Sequence, residues 1–175
     1  KTNTIVNNES SEIIRIMNKS FNNITKNYDD YYPDNLRAEI DDINDVIYKN
    51  INNGVYKTGF SKTQSAYDEA VQKLFSSLNM IEQKLENQDY LMGSVLTEAD
   101  IRFVPTLLRF DSVYYLHFKC NLKKITEYKN ISIYLKKLFA NDAISSTTNF
   151  EHIKRHYYFS HEHINPNRII PIGPE

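Results

Sequence analysis

Hydrophobic residues recur at helical spacing along most of the chain. From Ser11 onward, Ile13, Ile14, Met17 and Phe21 fall on one side of a helix. Longer runs with steps of three and four residues are Leu36, Ile40, Ile43, Ile47 and Ile51; Tyr67, Val71, Leu74, Leu78, Ile81 and Leu85; and Tyr128, Ile131, Leu135 and Leu138. Because apolar residues at this spacing share one helix face, each run predicts an amphipathic helix that buries that face.

Few other signals interrupt this helical pattern. The β-branched segment Thr4–Val6 predicts a short strand near the start of the chain. Gly54 is expected to cap the C-terminus of the second helix, and the sequence GVYKTGF that begins there is expected to be a turn. Asn149 is expected to cap a short last helix, and the proline-rich residues 161–175 predict an irregular tail.

The segment SVLTEADIRF, residues 94–103, contains a full set of helix-start signals. Thr97 occupies the N-cap position, and Asp100 three residues later is placed to accept a hydrogen bond from the Thr97 amide. The helix that follows is apolar on most faces, so we expect it to be central and buried. The whole pattern predicts an all-α bundle of about five helices, preceded by a strand and a helix that are too small to form a domain.

Composition narrows the class of protein. The 175 residues carry a formal net charge of -1, so no overall positive charge points to nucleic acid or to an anionic membrane. No apolar run approaches the ~20 residues of a membrane span. The single cysteine, Cys120, excludes an intrachain disulfide and favours a reducing compartment, which we take to be the cytoplasm, with an organelle as the alternative.

Several motifs together resemble those of a known enzyme family. The capped helix after LTEAD resembles the central helix of the C-terminal domain in the glutathione transferase superfamily. The segments TIVNNESSEIIR, LTEADIR, LLRFD, HFKCNLKKI, IKRHYY and INPNRIIPIGP occur in the order found in the glutathionyl-hydroquinone reductases, also called Xi-class transferases. This resemblance runs from about Thr2 to Pro174.

The resemblance implies a domain layout and the location of the catalytic thiol. Residues 1–24 would be the last strand and helix of a thioredoxin-like domain, residues 25–160 the helical glutathione transferase C-terminal-like bundle, and 161–175 the tail. The nucleophilic cysteine of the family lies in an earlier Cys-Pro motif that this sequence lacks. We therefore expect that cysteine upstream, and we expect the chain alone to be an inactive portion of the enzyme. Cys120 corresponds to a family cysteine that is not the nucleophile.

The resemblance also assigns binding residues. Glu9 and Ser10, at the start of a helix, would hold the α-amino acid end of glutathione, since a helix N-terminus favours an anion and an acid can hold an ammonium group. From the sequence alone, a plain N-cap is the alternative. Tyr56 and Tyr157 would line the aromatic substrate pocket. His152 and His156 share helical spacing, but without an HExxH motif or a nearby cysteine we expect no metal site.

The implied reaction is the reductive removal of glutathione from a glutathionyl-hydroquinone, with glutathione as co-substrate and a homodimer as the active assembly. The main alternative is a non-catalytic scaffold or protein-interaction module, because helical domains of this superfamily also serve that purpose. The absence of a nucleophilic thiol favours the scaffold, whereas the Glu9–Ser10 pair and the two tyrosines favour the enzyme. An ordinary conjugating transferase is a weaker alternative.

Overall fold

The computed structural model describes residues 3–174, and their regular structure is helical. The α-helices are α1 Ser10–Lys19, α2 Asn22–Thr25, α3 Arg37–Ile47, α4 Gly54–Gly59, α5 Gln64–Lys84, α6 Glu98–Arg109, α7 Tyr115–His117, α8 Lys129–Phe139, α9 Asp142–Ser145 and α10 Phe150–Ser160. Short 3-10 turns cover Asp34–Leu36, Leu85–Asn87 and Ile125–Glu127, and π-helical segments cover Tyr48–Asn52 and Phe110–Tyr114. The all-α fold class is confirmed.

The core lies where α5 and α6 pack among the other long helices. Helix α5 contacts α4 and α8, while α6 contacts α3 and α8. The apolar faces predicted from the sequence are the ones that these contacts bury, and the fully buried side chains include Ile40, Ile47, Ile51, Leu74, Leu78, Ile81, Phe103 and Ile131. Burying such a side chain stabilises the fold by ~1.5–3 kcal/mol, so the faces of these helices hold the bundle together.

Helix α6 begins with the predicted capping box. The Thr97 amide donates to Asp100 Oδ2 at 2.8 Å, and the Thr97 hydroxyl donates to the same oxygen at 3.1 Å. Asp100 Oδ1 accepts from the Leu91 amide at 2.9 Å and from the Tyr134 hydroxyl at 2.9 Å. One buried carboxylate therefore joins the start of α6 to the preceding loop and to α8.

Two local predictions were wrong. Thr4–Val6 is not a strand, because a strand needs a neighbour to complete its hydrogen-bond ladder and residues 3–174 form no sheet. Gly54 does not cap the second helix but begins α4, so GVYKTGF is helical rather than a turn. A Cβ at Gly54 would lie 3.6 Å from the Leu74 side chain, an ordinary van der Waals contact between α4 and α5.

Helix α1 differs from the sequence pattern, because it ends at Lys19, before Phe21, and none of its residues is buried. Helix α10 follows the pattern. Asn149 Oδ1 accepts from the His152 amide at 2.9 Å and caps α10 as predicted. The residues after α10 form no helix or strand as far as Pro174, where the described part ends. Lys1, Thr2 and Glu175 lie outside the described residues, and so do the outer ends of the predicted segments 1–24 and 161–175. The proposed domain boundaries stay predictions.

Candidate functional site

Three tyrosine hydroxyls meet where α4, α10 and the second π-helical segment converge. The hydroxyl oxygens of Tyr56 and Tyr157 are 2.6 Å apart, and those of Tyr114 and Tyr157 are 2.9 Å apart. The structure therefore joins the two tyrosines predicted from the sequence, which are 101 residues apart in the chain. It adds Tyr114, which the sequence did not single out.

Two features of the backbone bring these side chains together: the π-helical segments near Tyr114 and Tyr56, and a glycine at the end of α4. Tyr114 ends the π-helical segment Phe110–Tyr114, and the segment Tyr48–Asn52 comes just before α4, which carries Tyr56. Such π-helical turns occur frequently at functional sites. At the end of α4, a Cβ on Gly59 would lie 2.3 Å from the Phe118 ring, so glycine lets α4 approach the aromatic cluster.

Burial controls the protonation of the tyrosine cluster. The side chains of Tyr114 and Tyr157 are 2% and 6% exposed. Burial raises the pKa of Tyr157 to about 12, while the hydrogen bond with Tyr114 lowers it and the bond with Tyr56 raises it. Burial also raises the pKa of Tyr114 well above its ordinary value, and the neighbouring hydroxyls of Tyr157 and Tyr56 add to this effect.

The cluster has a spare hydrogen-bond donor. Each phenol carries one proton at neutral pH. The two hydroxyl–hydroxyl contacts use two of the three protons and leave one for another acceptor. Tyr114 and Tyr157 are buried, whereas Tyr56 is partly exposed, so Tyr56 is the position where that donor can meet a ligand.

Aromatic rings surround these hydroxyls. The Tyr56 ring centroid is 5.3 Å from that of Phe118 and 6.0 Å from that of Phe60. Tyr56 and Phe60 also line an open groove of about 690 Å³ between α4 and α5, where Lys73 is ion-paired with Glu69 and Lys57 supplies positive charge. Tyr157 and Tyr114 are not among the residues that line this groove. The arrangement offers ring surfaces and a hydroxyl donor to a planar, oxygenated ligand.

A histidine pair lies beside the aromatic cluster. His117 Nε2 and His161 Nδ1 are 3.0 Å apart, and their rings stack with centroids 5.3 Å apart. Burial, together with the nearby His161 and His163, lowers the pKa of His117 to about 4. Burial also lowers the pKa of His161. Both rings are therefore neutral at pH 7, when one nitrogen can donate to the other.

We expect this pair to make the fold sensitive to acid. The folded-state pKa of His117 lies below its value in the unfolded chain, so its contribution is present above about pH 6.5 and is lost as the pH falls toward about 4. The free energy of unfolding should fall more steeply across this range in the wild type than in His117→Gln. Urea titrations at several pH values measure the difference, and the exposed His152→Gln serves as the control. Equal slopes in wild type and His117→Gln would contradict the expectation.

The predicted glutathione residues lie at the start of α1. Glu9 is the N-cap residue, and its carboxylate accepts from the Ser11 hydroxyl at 3.2 Å rather than from the helix backbone. Ser10 is exposed, and the first N–H groups of a helix have no intrahelical acceptor. In the described contacts, no hydrogen bond joins Glu9 or Ser10 to the tyrosine cluster. The structure thus places the two predicted subsites on different elements.

The cysteine of this chain is in a poor environment for chemistry. Cys120 is fully buried, and its Sγ lies 3.9 Å from the Val55 carbonyl oxygen. Burial raises the pKa of the thiol to about 12, so the reactive thiolate is scarce at neutral pH. This environment agrees with the expectation that Cys120 is not the nucleophile.

Residues 3–174 contain neither a cluster of metal ligands nor a helix that could span a membrane. No three His, Cys, Asp or Glu side chains come close enough together there to ligate a metal ion. His152 and His156 are both exposed on α10. None of the described helices combines the length and the hydrophobicity needed to cross a membrane.

Comparison with known proteins finds a matching family model and relatives that are similar over almost the whole chain. A family model for the glutathione S-transferase C-terminal domain matches residues 64–137. The glutathionyl-hydroquinone reductase PcpF of Sphingobium chlorophenolicum is 50% identical over 170 residues, which are 97% of this chain and 54% of the relative. The glutathionyl-hydroquinone reductase YqjG of Escherichia coli is 51% identical over 99% of this chain and 53% of its own length. The chain thus spans about half the length of these relatives.

A solved structure is also similar to this chain over almost its whole length. The crystal structure of the glutathione-S-transferase Xi from Phanerochaete chrysosporium superposes with a TM-score of 0.95 at 56% identity, covering 98% of this chain and 59% of that one. The likeness in fold therefore extends over almost the whole chain, including the helices that carry the three tyrosines.

Proposed function

We propose that this chain, which is similar over almost its whole length to glutathionyl-hydroquinone reductases and to Xi-class glutathione transferases, forms the substrate-binding portion of a glutathione-dependent reductase. The substrate is a glutathionyl-hydroquinone, and the products are the hydroquinone and glutathione disulfide. The observation that carries this proposal is the hydroxyl cluster of Tyr56, Tyr157 and Tyr114, which offers a donor within a ring-lined site.

The reaction needs a thiol that Cys120 does not supply. The thiolate of a cysteine outside this chain attacks the glutathione sulfur of the conjugate, and a disulfide forms between enzyme and glutathione. The carbon–sulfur bond breaks, its electron pair stays on the aromatic carbon, and a proton completes the hydroquinone. A second glutathione thiolate attacks the mixed disulfide, releases glutathione disulfide and restores the thiolate.

The tyrosine cluster has two roles in this scheme. The Tyr56 ring packs against the hydroquinone, and the spare hydroxyl proton at Tyr56 is donated to a quinol oxygen or to the developing carbanion. Tyr114 and Tyr157 stay protonated at neutral pH because burial raises the pKa of both. They therefore hold the Tyr56 hydroxyl in place and can pass a proton along the chain of hydroxyls.

Glu9 and Ser10 hold the glutathione half of the substrate in this proposal. The Glu9 carboxylate pairs with the α-ammonium group of the γ-glutamyl residue, and the Ser10 hydroxyl with the free N–H groups of α1 binds its carboxylate. The exposure of both residues at the N-terminus of α1 supports this role. The proposal includes a homodimeric enzyme in the cytoplasm, which sedimentation and cell fractionation of the whole protein would test.

Glutathione binding tests the proposal directly. In the whole protein that contains this chain, we expect Glu9→Gln to weaken glutathione binding about tenfold, because a charge-assisted contact is lost. Calorimetric titration measures the Kd, and turnover of a glutathionyl-hydroquinone is followed by chromatography. Glu39→Gln, an exposed acid in the first turn of α3, should change neither. A wild-type protein that neither binds glutathione nor turns over the conjugate would support the scaffold instead.

A further inference from the structure

Helix α1 is attached to the bundle mainly through polar side chains. None of its residues is buried, and the apolar side chains of Ile13, Ile16 and Met17 are exposed. The opposite side carries Arg15 and Asn18. Asn18 Oδ1 accepts from the Tyr31 amide at 3.0 Å, and Asn18 Nδ2 donates to Asp30 at 2.7 Å. Ile14 is half-buried and lines a small cavity with Tyr31 and Ile101. The apolar interface of α1 is therefore small, and directional polar contacts set its placement.

Arg15 makes the most extensive of these contacts. Its Nε donates to Glu98 Oε2 at 2.8 Å and its Nη2 donates to Glu98 Oε1 at 3.0 Å, so the guanidinium binds both oxygens of one carboxylate. Nη2 also lies 2.5 Å from Asp41 Oδ1, and the guanidinium carbon lies 3.8 Å above the centre of the Tyr32 ring. A bidentate, stacked guanidinium has one preferred orientation, so Arg15 fixes both the position and the rotation of α1.

Glu98 is held firmly at the other end of this pair. It is the first residue of α6, its side chain is 3% exposed, and its amide donates to the Tyr31 carbonyl at 2.7 Å. Oε1 also accepts from Asn44 Nδ2 at 3.1 Å and from Arg102 Nη1 at 3.3 Å. A buried carboxylate needs such partners, and Arg15 supplies a charge that comes from outside the bundle.

The same network continues toward the tyrosine cluster. The Arg102 carbonyl accepts from Asn52 Nδ2 at 3.3 Å, and Asn52 Oδ1 accepts from the Thr106 hydroxyl at 2.9 Å. Asn52 ends the π-helical segment that precedes α4, which carries Tyr56. A continuous set of polar contacts therefore joins α1 to α6, and α6 to the start of α4.

We propose that Arg15 and Glu98 form a positioning pair that sets α1, and with it Glu9 and Ser10, at a fixed distance and angle from the aromatic site at Tyr56. The inference rests on the proposed function, since it concerns the two ends of one glutathione conjugate. Neither residue touches the substrate in this scheme. The pair determines whether both halves of the conjugate can bind at once, which is a condition for correct placement of the scissile bond.

The test uses the whole protein and compares two ligands. Arg15→Gln and Glu98→Gln should each raise the Kd of glutathione about tenfold and change the Kd of free hydroquinone less than twofold. Arg15→Lys should restore less than half of the loss, because one ammonium group cannot bridge both carboxylate oxygens. Hydrogen exchange at the α1 amides should become faster in all three variants. Lys49→Gln, which removes an exposed ion pair on the surface, is the charge-matched control.

The outcomes separate this inference from the proposed function. Glu98 is buried, so a weaker glutathione affinity in Glu98→Gln reports placement of α1 rather than loss of a direct contact. Unchanged glutathione affinity in both Gln variants would overturn the positioning pair alone. A full return to wild-type affinity in Arg15→Lys would overturn the bidentate geometry as the cause. Failure of the wild type to bind glutathione would overturn the proposed function and this inference with it.

Discussion

Asp100→Ala is expected to lower the free energy of unfolding by about 3–5 kcal/mol, because it removes one acceptor that serves several buried donors. The Asp100 side chain is fully buried and accepts from the amides of Leu91 and Thr97 and from the hydroxyls of Thr97 and Tyr134. Alanine would leave these donors without a partner at the start of the central helix. Urea unfolding followed by circular dichroism at 222 nm measures the change.

Variants that remove part of this hydrogen-bond network show how much each contact contributes to the free energy of unfolding. Tyr134→Phe removes one donor and should cost about 1 kcal/mol, whereas Asp100→Asn keeps one acceptor oxygen and should fall between Tyr134→Phe and Asp100→Ala. Asp142→Ala changes an exposed residue in the first turn of α9 and should cost less than about 0.5 kcal/mol. A loss below about 1 kcal/mol for Asp100→Ala would mean that the surrounding loop and α8 rearrange to satisfy the donors.

The parts of the fold that could be predicted from the sequence are those set by local spacing. The Thr97–Asp100 box and the apolar faces of α3, α5 and α8 depend on residues three or four positions apart, and the structure confirms them. The strand predicted at Thr4–Val6 was wrong because a strand depends on a partner strand as well as on its own composition. The cap predicted at Gly54 was wrong because the backbone stays helical from the π-helical segment Tyr48–Asn52 into α4, and Gly54 does not adopt the left-handed conformation of a C-terminal cap.

Most of the candidate site could not be predicted from local spacing, because its residues lie far apart in the chain. Tyr56 and Tyr157 were named only through the family resemblance, since no spacing rule relates residues that are 101 positions apart. Tyr114 and His117 lie in the aromatic run VYYLHF, whose sequence gives no sign of which hydroxyl or ring nitrogen faces a partner. The Arg15–Glu98 pair, 83 positions apart, was missed for the same reason. Polar partners across helices become visible only when packing has placed them.

Replacement of Tyr56 by phenylalanine is expected to reduce turnover of a glutathionyl-hydroquinone about 100-fold, at the lower end of the range for loss of a general acid. The ring stays, so stacking on the substrate and the KM should change little. Tyr157→Phe removes the central hydroxyl and breaks both contacts of the cluster, and it should reduce turnover by a similar factor. Steady-state kinetics of the whole protein measure kcat and KM, and urea unfolding confirms that both variants stay folded.

The control for these variants is Tyr158→Phe, which removes a buried hydroxyl next to Tyr157 without touching the cluster. The Tyr158 hydroxyl donates to the Ser112 carbonyl at 3.3 Å, so its loss should cost stability but leave kcat within about twofold. If all three variants lost activity in proportion to stability, the cluster would be a packing feature of the bundle. If kcat fell only in Tyr56→Phe and Tyr157→Phe, the hydroxyls would act on the substrate, because a non-catalytic scaffold has no rate for them to change.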